Sequence, residues 1–131
     1  MMARSVLIVD DSSAMRRSVR QLFETSGWDV VGEAENGEQG VQMAEKLRPS
    51  VVTLDVAMPV MNGIEAAKQL VAEAPQIQII LCTAYGSDES LKRVLRRSGI
   101  HNVISKSEAS QLLVPTAEKL SLLTEFLHGT L

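Results

Sequence analysis

Five side chains that could do chemistry stand where short aliphatic runs give out. Asp10 and Asp11 follow the run at 6–9, Asp55 ends the run at 51–54, Thr83 ends the run at 77–82, and Lys106, preceded by Ser105, follows the run at 103–104. Adjacent buried carboxylates repel each other and resist ionising together unless a cation joins them. Carboxylate oxygens are hard ligands, so Mg²⁺ is the natural candidate; it keeps several waters and shares sites with phosphate. Each residue also has a plainer use. Asp11 can cap the following helix, Thr83 can be strand packing, and Lys106 can be solvated surface. What argues for one site is that all of them occupy the same place in successive elements.

That place is set by a regular alternation. The aliphatic runs at 6–9, 29–31, 51–54, 77–82 and 103–104 are brief, β-branched and mostly continuous, which is the pattern of strands buried on both faces. Helical periodicity lies between them. Met15, Val19, Leu22 and Phe23 form the first apolar stripe, with Ser12 or Ser13 as cap and Gly27 as stop. Val41, Ala44 and Leu47 form the second, and Ile64, Ala67, Val71 and Ala74 the third, closed by Pro49 and Pro75. Leu91, Val94 and Leu95 form the fourth, before Gly99. Leu113, Ala117, Leu120 and Leu123 form the fifth, which runs to about Leu127 ahead of Gly129. Pro115 requires that last helix to begin near Ser110 or Gln111, where a missing N–H costs little. Strand and helix repeated five times imply an α/β fold with a parallel sheet covered on both faces. In such sheets function gathers at the carboxyl ends of the strands.

Composition narrows the class. The 131 residues read as one domain, 1–131, with 45% hydrophobic and 22% charged residues. Aromatics make up only 3%, so the core is aliphatic. Cys82 stands alone, which excludes an internal disulfide and a zinc site built from cysteines. No apolar run approaches the roughly 20 residues of a membrane span, and the N-terminal run is too short for a signal peptide. A net charge of -3 argues against a nucleic-acid surface, and the expected setting is the cytoplasm.

Four segments then resemble a known family. Val6-Leu7-Ile8-Val9-Asp10-Asp11, Leu54-Asp55-Val56-Ala57-Met58-Pro59-Val60-Met61-Asn62-Gly63, Thr83-Ala84 and Ser105-Lys106 look like the signatures of the CheY-like receiver domain of two-component response regulators. The resemblance implies a doubly wound, flavodoxin-like five-stranded sheet in the order 2-1-3-4-5. It implies that Asp55 is the phosphoryl acceptor and that Asp10, Asp11, Asp55 and the backbone carbonyl of Ala57 hold Mg²⁺. Thr83 and Lys106 would bind the transferred phosphoryl group. The implied partners are a sensor histidine kinase, as phosphohistidine donor, and a downstream output domain or protein. A surface of the fourth helix, fifth strand and fifth helix would carry the signal, and a homodimer through it stays open. The domain would catalyse only its own phosphorylation and dephosphorylation. Chemistry agrees: a carboxylate attacking phosphorus needs the charge on the equatorial oxygens neutralised. In the loop after Asp55, Pro59 and the Asn62-Gly63 turn set the shape, with Gly63 expected to supply a positive φ.

This chain departs from the family pattern at several places. Val103 stands where many receivers carry Tyr or Phe three residues before the lysine, and Ser107 replaces the usual proline after it. Ala57 and Tyr85 occupy positions that tune phosphoryl lifetime in the family, and Tyr85 is the aromatic expected to report phosphorylation. Lys106-Ser107-Glu108-Ala109 and Val31-Gly32-Glu33-Ala34-Glu35-Asn36-Gly37 resemble receivers of LuxR/NarL-type transcription regulators, so the chain reads as an excised or a free-standing receiver. Two other functions compete. A haloacid-dehalogenase-like phosphatase would want a second Asp where Ala57 stands; a non-phosphorylated interaction module would not need the full set of site residues. The basic residues Lys92, Arg93, Arg96 and Arg97, and likewise Arg16, Arg17 and Arg20, read as solvated faces; His101 and His128 lack metal partners.

Overall fold

The computed structural model describes residues 4–84 and 88–127. Tyr85, His128 and Gly129, to which the sequence assigns roles, lie outside the described residues. In chain order the elements are β1 (Ser5–Val9), α1 (Ser13–Thr25), β2 (Asp29–Ala34), α2 (Gly37–Leu47), β3 (Val51–Asp55), α3 (Gly63–Glu73), β4 (Gln78–Thr83), α4 (Glu89–Arg97), β5 (Val103–Ser105), a 3₁₀ turn (Lys106–Glu108) and α5 (Ala109–Leu127). The five strands form one parallel sheet in the order β2-β1-β3-β4-β5, with the doubly wound connectivity of the flavodoxin-like α/β receiver fold.

Strand alternation divides the core into two layers. Leu7 and Val9 of β1, Val52 and Leu54 of β3, and Ile79 and Leu81 of β4 meet Val41 and Ala44 of α2, Ala66, Ala67 and Leu70 of α3, and Leu95 of α4. Val6, Ile8, Val51, Ile80 and Cys82 face the other way, onto Val19 and Phe23 of α1 and Leu113 and Ala117 of α5. Full burial of each large aliphatic side chain contributes about 1.5–3 kcal/mol, so both faces of the central strands drive the fold.

Several expectations are corrected. β2 runs to Ala34 rather than stopping at Val31, because an edge strand is only half covered and tolerates Gly32 and Glu33. Val94 and Leu123 point to solvent, and Leu47 is largely exposed; Ala66 and Leu70 share α3's buried stripe with Ala67. α5 begins at Ala109, after the 3₁₀ turn, so Pro115 lies inside the helix, past the first turn. Its ring removes one backbone hydrogen bond there, a cost carried by the burial of Leu113 and Ala117. Gly63 has no positive φ. In this loop the residue with positive φ is Val60, at φ 67°. Gly63 is needed for a different reason: a Cβ there would overlap the carbonyl oxygen of Asp55.

Candidate functional site

β1 delivers Asp10 and Asp11. The Asp10 amide donates to the Ala34 carbonyl at 3.0 Å, extending the β1–β2 ladder by one step. The chain then turns, and Asp10 Oδ1 accepts from the Ser12 amide at 2.9 Å. Ser12, not Asp11, caps α1: its Oγ accepts from the Met15 amide at 3.2 Å. Asp11 is thus left exposed and free of a capping duty, while Asp10 is 5% exposed.

β3 delivers Asp55, which is 4% exposed. The loop after it is closely tied. The Gly63 amide donates to the Val56 carbonyl at 2.9 Å, and the Gly37 amide at the start of α2 donates to the Met61 carbonyl at 2.8 Å. Asn62 opens α3 with a capping box, its Oδ1 accepting from the Glu65 amide at 2.9 Å. Within this loop the Ala57 N–H donates to the Asp55 carboxylate.

β4 and β5 complete the cleft. Thr83 ends β4 and is buried. Lys106 begins the 3₁₀ turn, and its Nζ lies 3.1 Å from Asp55 Oδ1 and 3.5 Å from Asp10 Oδ2. Where the family pattern has proline, the Ser107 hydroxyl pairs with that of Ser105 at 2.9 Å. A cleft of about 200 Å³ is lined by Asp11, Asp55, Ala57, Thr83 and Lys106 among others. The structure therefore brings together every site residue expected from the sequence.

The electrostatics follow from burial. Desolvation pushes the Asp55 carboxyl above its ordinary range, and the Asp10 charge adds to this. The hydrogen bond and charge of Lys106, and the Ala57 N–H, oppose it. For Lys106, burial acts to lower the ammonium, but the hydrogen bond to Asp55 and the charges of Asp10 and Asp55 outweigh it and raise it. Burial pushes the Cys82 thiol up to about 11, so it is an inert core group. One carboxylate oxygen each from Asp10, Asp11 and Asp55 lie within 4.8 Å of one another. Carboxylate oxygens grouped at a solvent-open edge suit Mg²⁺, a hard cation that takes oxygen ligands and keeps several waters.

Two participants were not legible as such. Arg16 is not a solvated residue: its side chain is 14% exposed, and Nη1 donates to the Asp10 carbonyl at 2.7 Å. Glu33 of β2 receives Arg16 and Arg20. A possible signal was the charge complementarity between α1 and the end of β2, but Glu33 fell beyond the part of β2 that reads as strand.

Comparisons with known proteins agree with this geometry. The model of the response regulator receiver domain matches residues 6–118. The chemotaxis protein CheY of Thermotoga maritima is 35% identical over 120 residues, covering 92% of this chain and 99% of that protein. Among solved structures, the CheX–CheY–BeF3–Mg²⁺ complex from Borrelia burgdorferi superposes with a TM-score of 0.74 at 30% identity, over 78% of this chain and 77% of that one. A two-component response regulator of the LuxR family from Aurantimonas sp. SI85-9A1 shares the fold, with a TM-score of 0.83 at 24% identity over 92% of this chain and 86% of that one. Strand order, strand-end carboxylates and these matches lead to one conclusion: the chain belongs to the CheY-like response regulator receiver domains of two-component signalling.

Proposed function

We propose that this chain is a phosphorylation-dependent switch in which Asp55 takes a phosphoryl group from the phosphohistidine of a sensor histidine kinase. The observation that carries the reading is the buried Asp55 carboxylate, 3.1 Å from the Lys106 ammonium and within 4.8 Å of the Asp10 and Asp11 carboxylates. In the transfer, a bond forms between an Asp55 carboxylate oxygen and phosphorus while the phosphorus–nitrogen bond to the imidazole breaks, and the imidazole takes up a proton. Asp10, Asp11, Asp55 and the Ala57 carbonyl would hold Mg²⁺, which supplies positive charge to the phosphoryl oxygens when bound. Lys106 neutralises a further oxygen, and Thr83, at the end of the neighbouring strand β4, contributes a hydroxyl. The similar Borrelia complex contains BeF3 and Mg²⁺, in keeping with this assignment.

Phosphorylation adds a charge near -2 beside Thr83 and Lys106. Drawing both inward would shift α4, β5 and α5, the surface for an output domain, a partner protein or a second copy. Moving such a switch from 1:99 to 99:1 needs about 5.5 kcal/mol of differential stabilisation. Val103 gives the switch an aliphatic side chain rather than an aromatic rotamer. The domain catalyses only its own phosphorylation and dephosphorylation, and works in the cytoplasm. Among the described residues no helix is long and apolar enough to cross a membrane.

Incubation with acetyl phosphate and Mg²⁺, read by intact mass, tests the reading. One phosphoryl adduct is expected in the parent and none in Asp55→Asn. No adduct in the parent would leave the interaction module; steady turnover of small phosphoesters would favour the phosphatase.

A further inference from the structure

Arg16 Nη1 donates to the main-chain carbonyl of Asp10 at 2.7 Å, while its Nε donates to Glu33 Oε1 at 3.0 Å. On the other side of the same residue, the Asp10 amide donates to the Ala34 carbonyl at 3.0 Å. Both peptide groups of Asp10 are therefore held from β2, one directly and one through Arg16. The second Glu33 oxygen accepts from Arg20 Nε at 2.7 Å, so the carboxylate that orients Arg16 is itself fixed.

An irregularity in the sheet makes this possible. Val6 pairs with Val30, but Leu7 pairs with Gly32, so Val31 is an extra residue in β2. Strict alternation from Val30, which packs in the α1 layer, would turn Glu33 toward α2. The extra residue places Glu33 opposite Ile8, in the α1 layer, where the arginines of α1 meet it. Ala34 then falls in the opposite layer, with Leu7 and Val9.

We propose that Arg16, oriented by Glu33, is a positioning residue for the cation site: it clamps the Asp10–Asp11 peptide so that both carboxylates turn toward Asp55. This rests on the reading of the three carboxylates as a Mg²⁺ site. Groups that orient metal ligands commonly change affinity about 10–100-fold when lost.

The sign of the effect separates positioning from through-space charge. Arg16→Gln removes a positive charge near a cation site, which by Coulomb's law alone strengthens Mg²⁺ binding. Loss of the clamp weakens it. Titration with Mg²⁺ alone, by calorimetry in phosphate-free buffer, is expected to show about tenfold weaker binding for R16Q. Arg17→Gln makes the same charge change at an exposed position of the same helix, and is expected to bind within about twofold of the parent. Arg16→Lys keeps the charge but cannot span Asp10 and Glu33 together, and is expected to fall between R16Q and the parent; it carries the test if R16Q does not fold. Parent-like or tighter binding in R16Q, or parent-like binding in R16K where R16Q is unfolded, overturns the proposal. A parent that takes up no Mg²⁺ overturns the cation reading itself, and the clamp with it.

Discussion

α3 and α4 follow the two strands that flank the cleft, and they are built in opposite ways. α3 starts from a reciprocal capping box, sets Gly63 directly against the Asp55 backbone, and buries Ala66, Ala67 and Leu70. α4 has an Asp88 cap but buries only Leu95; Val94 is 57% exposed, and Arg93, Arg96 and Arg97 face solvent. The acceptor side is fastened to the core, and α4 rests on buried Leu95 with half-buried Leu91 beside it. Segments with few buried apolar contacts open at low free energy, which suits α4 to respond while Asp55 stays in place.

The largest effect expected from this contrast lies in α3. Leu70→Ala removes a fully buried side chain from the core and should cost about 2–5 kcal/mol in urea unfolding. Val94→Ala in α4 should stay within about 0.5 kcal/mol of the parent. Similar losses for the two substitutions would break the contrast.

A smaller effect concerns charge held at the acceptor. Burial, then the Asp10 charge, raises the Asp55 carboxyl against the opposition of Lys106. A carboxyl raised in the folded state binds its proton more tightly there than in the unfolded chain. Stability therefore falls as pH climbs from the unfolded carboxylate range through the folded value. Above that window the ionised group is a net cost. Asp55→Asn without Mg²⁺ at neutral pH should gain stability, read as a higher Tm, even though Lys106 then keeps only its Asp10 ion pair. The gain should vanish at acid pH, and Mg²⁺ should raise the Tm of the parent more than that of the variant. A variant less stable than the parent at neutral pH would show that the Lys106 pair outweighs burial.

The legible parts of the molecule share a physical cause. Strands buried on both faces must be aliphatic throughout, so β1, β3 and β4 announce themselves, and a carboxylate or hydroxyl directly after such a run has to lie at the sheet edge. Asp10, Asp11, Asp55 and Thr83 were legible for that reason, Lys106 by following the short run of β5, and the segment around Asp55 carried the family resemblance. The second half of β2 was not, because an edge strand with an extra residue loses both continuous burial and alternation. Arg16 was not, because a main-chain carbonyl accepting its N–H leaves no mark in the sequence. Pro115 misled because its cost is local, while the burial that offsets it comes from a sheet far along the chain.

The smallest expected effect tests how firmly the acceptor loop is held. Val60 is 76% exposed and sits at φ 67°, where a β-branched residue is strained. The conformation closes a tight three-residue turn, in which the Met61 amide donates to the Pro59 carbonyl at 2.7 Å. It persists because its neighbours are fixed: the Met61 carbonyl accepts from Gly37, and Gly63 is bound to Val56 and pressed on Asp55. Asn takes positive φ more readily than Val, and its unbranched Cβ crowds the neighbouring backbone less. Val60→Asn should therefore gain about 0.5–1 kcal/mol, seen as a higher urea midpoint at unchanged slope, with phosphorylation of Asp55 unaffected. A loss of stability instead would mean that the loop relaxes out of the positive-φ turn in solution, and the acceptor side would then be no more tightly fastened than α4.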